Sequence, residues 1–267
     1  MRLLLALGLA AAIAVGPLRA CEVGQTVVSD VYPTAAALPE NMLRFYVYFS
    51  APMGRDDILP AIDLLDAEGR VVDGVFLSNR YDLWSADRTR LTLLFDPGRV
   101  KTGLAAHQKM GRALAAGDTY HLSISQDAED MQGCPLASAH RMTFKATAAD
   151  VKSPTPADWI LITPGVGTHE PLTVVLDGPV DHVSLAYRLR VIGPDGVPVA
   201  GRIDLDKAET HWQFTPRTQW TTATYHVAID PQLEDLAGNR PGVLFDQPAD
   251  APIVEWSSAL SWSPVRP

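Results

Sequence analysis

The chain has 267 residues, of which 22 are Lys or Arg and 31 are Asp or Glu, so its formal net charge is −9. A net-acidic chain argues against general nucleic-acid binding, which depends on clustered positive charge. Its 19 glycines and 21 prolines favour a turn-rich β architecture over a helical bundle, and a hydrophobic content of 47% excludes a disordered chain.

The first predicted element is a secretory signal peptide over residues 1–20. A positively charged start precedes a run of apolar residues and glycine over 3–15, and a Gly-Pro pair at 16–17 ends that run. The run is shorter than the roughly 20 apolar residues that span a bilayer. We therefore expect an exported protein, either periplasmic or extracellular.

Cys21 follows the predicted cleavage site, and it has two possible roles. It can form a disulfide with Cys134, since the chain contains 2 cysteines and an even number in an oxidising compartment favours pairing. Alternatively, the Leu-Arg-Ala-Cys sequence at 18–21 resembles a bacterial lipobox, in which the cysteine becomes lipidated. The disulfide is favoured because lipidation would leave Cys134 as an unpaired thiol.

An internal repeat organises the rest of the chain. Three pairs of segments carry it, at offsets of 127, 119 and 105 residues: Phe49–Met53 with Leu176–Val180, Leu93–Pro97 with Trp212–Pro216, and Tyr120–Ile124 with Tyr225–Ile229. The pairs follow the same order along the chain, which indicates two homologous domains.

The repeated segments have the pattern of β-strands. Residues 44–49 alternate so that Phe45, Val47 and Phe49 share one face, which is predicted to be buried. An acidic residue followed by glycine lies between apolar runs at 68–69 and again at 195–196, where a tight hairpin turn is expected. Short strands separated by turns predict a β-sandwich in each half.

Each half resembles a bacterial Ig-like domain of the type found in the S-layer protein SbsA. The resemblance rests on Phe-Ser-Ala-Pro-Met at 49–53 and on Leu-Glu-Asp-Leu-Ala-Gly-Asn at 233–239. It implies an all-β fold of two tandem Ig-like β-sandwich domains that serve as spacers or interaction modules. It also implies structural roles for five residues: Tyr120 and Tyr225 at tyrosine corners, and Asp235, Gly238 and Asn239 in the closing loop. The first domain departs from this pattern, because Cys134 stands where the asparagine would follow glycine.

The repeat and the Pro-rich stretch at 152–156 set the predicted boundaries. These are a signal peptide (1–20), an N-terminal segment (21–40), a first Ig-like domain with two insertions (41–148), a linker with the first strand of the second domain (149–165), a second Ig-like domain (166–250) and a C-terminal tail (251–267). The tail is expected either to add an edge strand or to remain loose.

The insertions of the first domain are the best place to look for a ligand site. Residues 98–116 contain Arg99, Lys101, Lys109 and Arg112 and no acidic residue, and a short helix is expected within Leu104–Leu114. Together with Trp84 these side chains form a candidate site for an anionic ligand or a glycan. The alternative is a solvated loop, which we favour because loops are normally polar.

The residues that commonly carry chemistry do not form recognised sites. The seven histidines are not at metal-ligand spacing, and the acidic loops at 127–130 and 234–239 lack the pattern of a calcium loop. The sequence contains neither a Gly-x-Ser-x-Gly nucleophile elbow nor a phosphate-binding loop. We therefore expect no enzyme, no metal and no cofactor.

These observations favour an exported bacterial non-catalytic protein, a tandem Ig-like module for cell-envelope structure or protein–protein interaction. Its expected partner is a protein or an envelope component, and it would contact a membrane only if Cys21 is lipidated. Two alternatives stay open: a receptor that uses the basic insertion, and an envelope lipoprotein anchored through Cys21.

Overall fold

The computed structural model describes residues 21, 26–54, 58–77, 83–206, 208–247, 251 and 253–266, and the predicted signal peptide lies outside them. The strands are β1 (Val28–Tyr32), β2 (Ala37–Pro39), β3 (Arg44–Phe49), β4 (Ile62–Leu65), β5 (Arg90–Leu94), β6 (Thr119–Ile124), β7 (His140–Thr147), β8 (Ile160–Ile162), β9 (Leu172–Val175), β10 (Leu189–Ile192), β11 (Gly201–Leu205), β12 (His211–Pro216), β13 (Tyr225–Ile229) and β14 (Ala259–Trp262). The α-helices are α1 (Pro97–Val100), α2 (Ala105–Met110) and α3 (His182–Arg188). Within the described residues, no helix has the length and apolar character needed to cross a membrane.

The strands form two Ig-like β-sandwiches, which confirms the predicted all-β fold. The first domain packs the sheet β1-β3-β5 against the sheet β2-β7-β6-β4, and the second packs β10-β13-β14 against β11-β12-β9-β8. Every pair of neighbouring strands is antiparallel except β2 and β7.

Alternation along the strands determines which side chains form each core. In β3 the residues Phe45, Val47 and Phe49 are buried as predicted. The Phe45 ring lies 5.6 Å from that of Phe144 on the opposite sheet, so the two sheets of the first domain meet through aromatic side chains. In the second domain Trp212, the counterpart of Leu93 on β5, is fully buried.

The internal repeat also appears in the pairing of matched residues. Met53 bridges to Asp130, and the residues 127 and 105 positions later, Val180 and Asp235, make the same bridge. The hairpin after β4 turns at Gly69 with φ of +80°, and the hairpin after β10 turns at Gly196 with φ of +77°. A left-handed backbone at both turns explains why glycine follows the acidic residue in each half.

The first domain begins earlier than predicted. The boundary at residue 41 is wrong, because β1 pairs with β3 and β2 pairs with β7. The segment 21–40 therefore supplies a strand to each sheet of the first domain. It was missed because the repeat does not cover this segment, because β1 has the burial of Val31 without a clear alternation, and because β2 has only 3 residues.

The C-terminal tail belongs to the second domain. Strand β14 pairs with β13, and Trp262 is buried with its ring 5.0 Å from that of Trp220. Of the two outcomes expected for the tail, the structure therefore has the edge strand. Helix α2 falls inside the predicted helical segment but is shorter, since Gly111 with φ of +71° ends it.

Candidate functional site

Arg99, the first cation of the predicted basic site, is directed into the first domain. It is 7% exposed, and its guanidinium donates to the carbonyl oxygens of Asp73 at 2.7 Å, Gly111 at 3.0 Å and Gly74 at 3.2 Å. A guanidinium whose donors are used on backbone carbonyls stabilises the insertion. It is not placed to bind an anion from solvent.

The other three cations of the insertion do not converge on one point. Arg112 donates to the carbonyl of Val100 at 3.1 Å, and its Nε lies 3.4 Å from a carboxylate oxygen of Glu40. Lys101 places its ammonium 5.3 Å from the centre of the Phe245 ring, while Lys109 is exposed near the end of α2. The structure therefore does not bring the four cations of the predicted site together.

Trp84, the aromatic member of the predicted site, is partly buried against the core of the first domain. Its ring lies 5.7 Å from that of Phe49, and the guanidinium carbon of Arg88 is 4.8 Å from its centre. It also lines a cavity of about 500 Å³ that includes Met53, Ile58 and the loop 125–133. Trp84, Arg99 and Arg112 are therefore used within the first domain.

The closing loop of the first domain, residues 130–134, holds the chain just before β1. We refer to it as the first Asp loop. Asp130 accepts backbone N–H groups from Gln132 at 2.9 Å and Cys134 at 3.0 Å, and it also accepts the Thr26 hydroxyl at 2.9 Å. Cys134 forms a disulfide with Cys21. The structure therefore forms the favoured alternative for Cys21, and its sulfur is used in this bond.

The closing loop of the second domain, residues 235–239, is the second Asp loop, and it holds the linker. Asp235 accepts the N–H groups of Ala237 and Asn239, each at 2.8 Å, and also the Asn239 side-chain amide at 2.9 Å. That amide lies 3.3 Å from the carbonyl oxygen of Asp150 and 3.2 Å from that of Lys152. Burial raises the pKa of Asp235 to about 7.

The second Asp loop also touches the first domain. Gly238 has φ of +79°, and a Cβ at this position would lie 2.4 Å from the Leu43 side chain. The Leu43 N–H donates to the carbonyl of Leu236 at 2.9 Å, and the Leu236 side chain is part of the core of the first domain. Gly238 is therefore required both by its backbone conformation and by the close approach of the neighbouring domain.

Tyr120 and Tyr225 occupy matching places in the two sandwiches. The Tyr120 hydroxyl accepts the Ala115 N–H at 3.0 Å, and the Tyr225 hydroxyl accepts the Thr221 N–H at 3.2 Å. A hydroxyl that bonds to the backbone a few residues upstream is the geometry of a tyrosine corner. Both residues stabilise their domains.

The two domains meet at a cluster of polar side chains, which we call the interdomain cluster (Arg44, Tyr46, Asp181, Glu234 and Arg240). Arg44 donates to Glu234 at 2.6 Å, and its Nε lies 3.7 Å from Asp181. The Tyr46 hydroxyl donates to the Asp181 carboxylate at 3.0 Å, and Arg240 donates to Glu234 at 2.7 Å. Charged groups of both domains thus balance each other at this boundary.

Asp181 is the most deeply buried carboxylate of this cluster, with 4% of its surface exposed. It also caps the start of α3 by accepting the Ser184 N–H at 2.9 Å. Burial raises the pKa of Asp181, while Arg44 acts in the opposite direction. Burial, with the neighbouring Asp181, raises the pKa of Tyr46. The partners of Asp181 therefore come from its own helix and from β3 of the other domain.

A second polar contact joins the domains next to the interdomain cluster. Glu209 is fully buried and accepts the Thr34 N–H at 3.0 Å and the Thr34 hydroxyl at 2.9 Å. Burial raises the pKa of Glu209 to about 7. The His182 ring stacks on that of Tyr32, with 3.4 Å between the ring centres, and burial lowers the pKa of His182 to about 4.

Sequence reasoning missed the interdomain residues. Arg44 and Tyr46 lie on the face of β3 that alternation assigns away from the core, yet Tyr46 is 4% exposed because the second domain covers it. A signal was present in the repeat, since the matched residues of the second domain are Pro171 and Thr173. Large polar residues in only one copy of a repeat mark a contact that the other copy does not make.

The second domain has an open groove between its two sheets. The groove has a volume of about 340 Å³ and lies between α3, β10, β11 and the segment 198–201, with the Phe214 ring among its lining residues. Arg190 and Arg217 are exposed at its rim. Across the described parts of the chain, no three His, Cys, Asp or Glu side chains are grouped to hold a metal ion.

Comparisons with known proteins give only distant likenesses. No protein-family model matches the chain, and no curated protein matches it. A crystal structure of Escherichia coli alpha-2-macroglobulin spanning domains MG0-NIE-MG1 is 13% identical with a TM-score of 0.30, and the match covers 92% of this chain and 72% of that one. The native conformation of the E. coli protein, determined by single-particle cryo-EM, is 14% identical with a TM-score of 0.30, covering 92% of this chain and 14% of that one.

A third likeness is to a chimeric titin Z1Z2 functionalised with an exogenous peptide from decorin. It is 10% identical with a TM-score of 0.25, and the match covers 78% of this chain and 90% of that chain. None of these scores carries an argument about activity or partners. The assignment of two Ig-like sandwiches therefore rests on the strand pairing itself.

Proposed function

We propose that the protein is an exported, non-catalytic bacterial module that holds two Ig-like domains in one fixed arrangement and presents their surfaces to other components of the cell envelope. The observation that carries this proposal is the interdomain cluster. Its buried carboxylate at Asp181 depends on Tyr46 and Arg44 of the other domain.

The chemistry of this boundary favours one arrangement of the domains over many. A buried charge that loses its partner costs several kcal/mol, roughly 3–5, so sliding one domain over the other is opposed even where the apolar contacts could re-form. Glu209 bonds to Thr34 outside the interdomain cluster. This second contact restricts rotation of one domain about the cluster. A fixed pair of domains suits a spacer or a scaffold better than an enzyme with moving parts.

The disulfide supports the export part of the proposal, because such bonds persist in oxidising compartments. Within this function, the S-layer type of module is the finer possibility that the sequence motifs favour. The anionic-ligand receptor has less support, since Arg99 and Arg112 are used inside the first domain.

The fixed arrangement is tested by single-molecule energy transfer between dyes placed at Lys145 of the first domain and Thr222 of the second, both exposed. We expect one narrow distance distribution for the native chain and a broad one for Arg44→Ala/Glu234→Ala. The matched control is Asp66→Ala/Arg70→Ala, which removes an exposed ion pair within one domain and is expected to change nothing. A broad distribution in the native chain would overturn the proposal.

Export is tested by the intact mass of the protein purified from its native cells. A mass for residues 21–267 that increases by two hydrogens on reduction supports an exported, disulfide-bonded module. A mass increased by a diacylglycerol and an acyl chain would show a lipoprotein anchored through Cys21. A full-length reduced chain in the cytoplasm would contradict export.

A further inference from the structure

We propose that the groove of the second domain binds an extended, acidic segment of a partner protein, which takes the place that the insertion 98–116 takes in the first domain. This inference rests on the proposed function, because it names the partner chemistry of an interaction module. It follows from a comparison of matched positions in the two halves of the chain.

In the first domain, the insertion occupies the matched region. The offset of 127 residues continues from Met53 through the hairpin glycines, Gly69 and Gly196, to Asp73 and Gly74, which match Ala200 and Gly201 at the groove. Arg99 donates to the carbonyls of Asp73 and Gly74. From the same insertion, Val100, Ala113 and Leu114 are buried in the core of the first domain. The first domain therefore covers this side of its sandwich with its own chain.

The second domain lacks those residues, and its groove has an apolar floor. Leu189, Val191 and the Phe214 ring line it. A Cβ at position 201 would lie 2.3 Å from Cζ of Phe214, so the ring lies directly over the glycine backbone and forms part of the floor. This floor suits small branched side chains such as valine.

Charge identifies the kind of segment that fits. The charged residues described at the groove are Arg190 and Arg217, and both are exposed. In the first domain the counterpart of Arg190 is Asp63, which is also exposed, and the insertion there is basic. Since the sign at this position is reversed in the second domain, the complementary occupant carries carboxylates.

The backbone at the groove is also suited to an extended chain. Strands β10 and β11 are the end strands of their sheets and flank the groove. On the outer side of β10 the Val199 N–H donates to the Val191 carbonyl at 2.8 Å, so β11 is the end strand on which a peptide would pair. An end strand has one row of backbone groups that its sheet does not use, and a peptide can pair with that row. An extended segment can therefore combine backbone pairing with apolar contacts and ion pairs.

A binding experiment with defined probes tests this inference. The first probe is a fluorescein-labelled ten-residue peptide that alternates glutamate and valine, and the second has lysine in place of glutamate. Fluorescence polarisation is measured against the disulfide-bonded chain. We expect the acidic probe to bind, the basic probe not to bind, and Arg190→Glu/Arg217→Glu to weaken binding by at least about tenfold.

Two further variants distinguish binding at the groove from general electrostatic attraction between the probe and the protein. Arg141→Glu/Lys145→Glu makes the same change in net charge on β7 of the first domain, where both side chains are exposed, and should leave binding within about twofold. Ala200→Trp fills the groove without a change in charge and should abolish binding. Circular dichroism confirms that each variant is folded.

Three outcomes would overturn the inference. The acidic probe fails to bind, the β7 variant weakens binding as much as the groove variant does, or the chain forms a dimer that Ala200→Trp dissociates, which would make a second copy the occupant. The dye-distance experiment does not involve the groove. Its result therefore distinguishes failure of this inference from failure of the proposed function.

Discussion

The two Asp loops perform the same task with different chemistry. Each begins with an aspartate that accepts backbone N–H groups of its own loop, and each ends on a residue that is bonded to the chain before the first strand of its domain. In the first loop that last residue is Cys134, which is bonded covalently to Cys21. In the second it is Asn239, whose amide reaches Asp150 and Lys152.

The comparison shows which part of the loop is scaffold and which part is free to change. Gly133 and Gly238 have φ of +75° and +79°, so the backbone turns in the same way in both copies. The residue after the glycine is directed toward the preceding segment in either case. Its chemistry then determines whether the attachment depends on oxidation or on hydrogen bonds.

Removal of the covalent attachment is expected to have the largest effect. The variant Cys21→Ser/Cys134→Ser should lower the free energy of unfolding by about 2–4 kcal/mol, because the unfolded chain is no longer cross-linked. Urea unfolding of the two proteins measures this difference. A change below about 0.5 kcal/mol would show that Thr26 and β1 hold the N-terminal segment without help.

Removal of the noncovalent attachment should cost slightly less. Asn239→Ala removes contacts with Asp150, Lys152, Asp235 and the Phe245 N–H, and it leaves a buried carboxylate with fewer partners. We expect a loss of about 2–3 kcal/mol in the free energy of unfolding. The control in the first loop is Thr26→Val, which removes one hydrogen bond to Asp130 and should cost about 1 kcal/mol. Equal losses for the two variants would contradict the comparison.

The pH dependence of stability should come from the second Asp loop. Burial raises the pKa of Asp235 to about 7, so the folded chain keeps a proton that the unfolded chain releases near pH 4. His182 acts in the opposite direction, because its lowered pKa of about 4 makes the folded chain release a proton earlier than the unfolded chain does. Since the pKa values of both Asp235 and Glu209 are raised, stability should still fall as the pH rises from about 4 to about 7, by on the order of 1–3 kcal/mol, and then level off. Denaturant unfolding at a series of pH values measures this slope.

Substitutions of the buried carboxylic acids test which residue causes this pH dependence of stability. Asp235→Asn should flatten it, while Asp130→Asn in the first loop should leave it as steep as in the native chain, because Asp235 is still present. Glu209, whose pKa burial also raises to about 7, and Asp181, whose pKa burial raises, are expected to account for the slope that remains. Adding Glu209→Gln should therefore flatten it further. An unchanged slope in Asp235→Asn would contradict this assignment.

The smallest effects are expected at the tyrosine corners, where the two domains are alike. Tyr120→Phe and Tyr225→Phe each remove a hydroxyl that accepts one backbone N–H. Each should lower the free energy of unfolding by about 1 kcal/mol. A difference above about 1 kcal/mol between the two variants in thermal or urea unfolding would show that the corners are not equivalent.

The sequence predicted the sandwiches because their signals are local. Alternation at Phe45, Val47 and Phe49 and a repeated hairpin glycine each depend on a few neighbouring residues. The arrangement of the domains depends instead on contacts such as Tyr46 with Asp181, which are 135 residues apart in the chain. No periodicity connects such positions, so the interdomain cluster was not predicted.

The candidate site shows a related limit. Composition identified Arg99 and Arg112 as cations in a stretch, 98–116, that contains no acidic residue, which is typical of an anion site. In the fold, however, Arg99 bonds to backbone carbonyls, and Arg112 has the Val100 carbonyl and the distant Glu40 carboxylate as partners. Composition cannot reveal either kind of partner. Charge counting finds where cations are concentrated, but not whether their donors are already used.

The placement of Leu236 in the core of the first domain has a consequence for how the chain matures. A polypeptide leaves the ribosome from its N-terminus, so β7 is available long before the second Asp loop has been made. Until Leu236 arrives, the first sandwich has a gap at Leu43 and exposes apolar surface. A chain truncated after residue 165 should therefore aggregate, and the complete chain should melt as one cooperative unit.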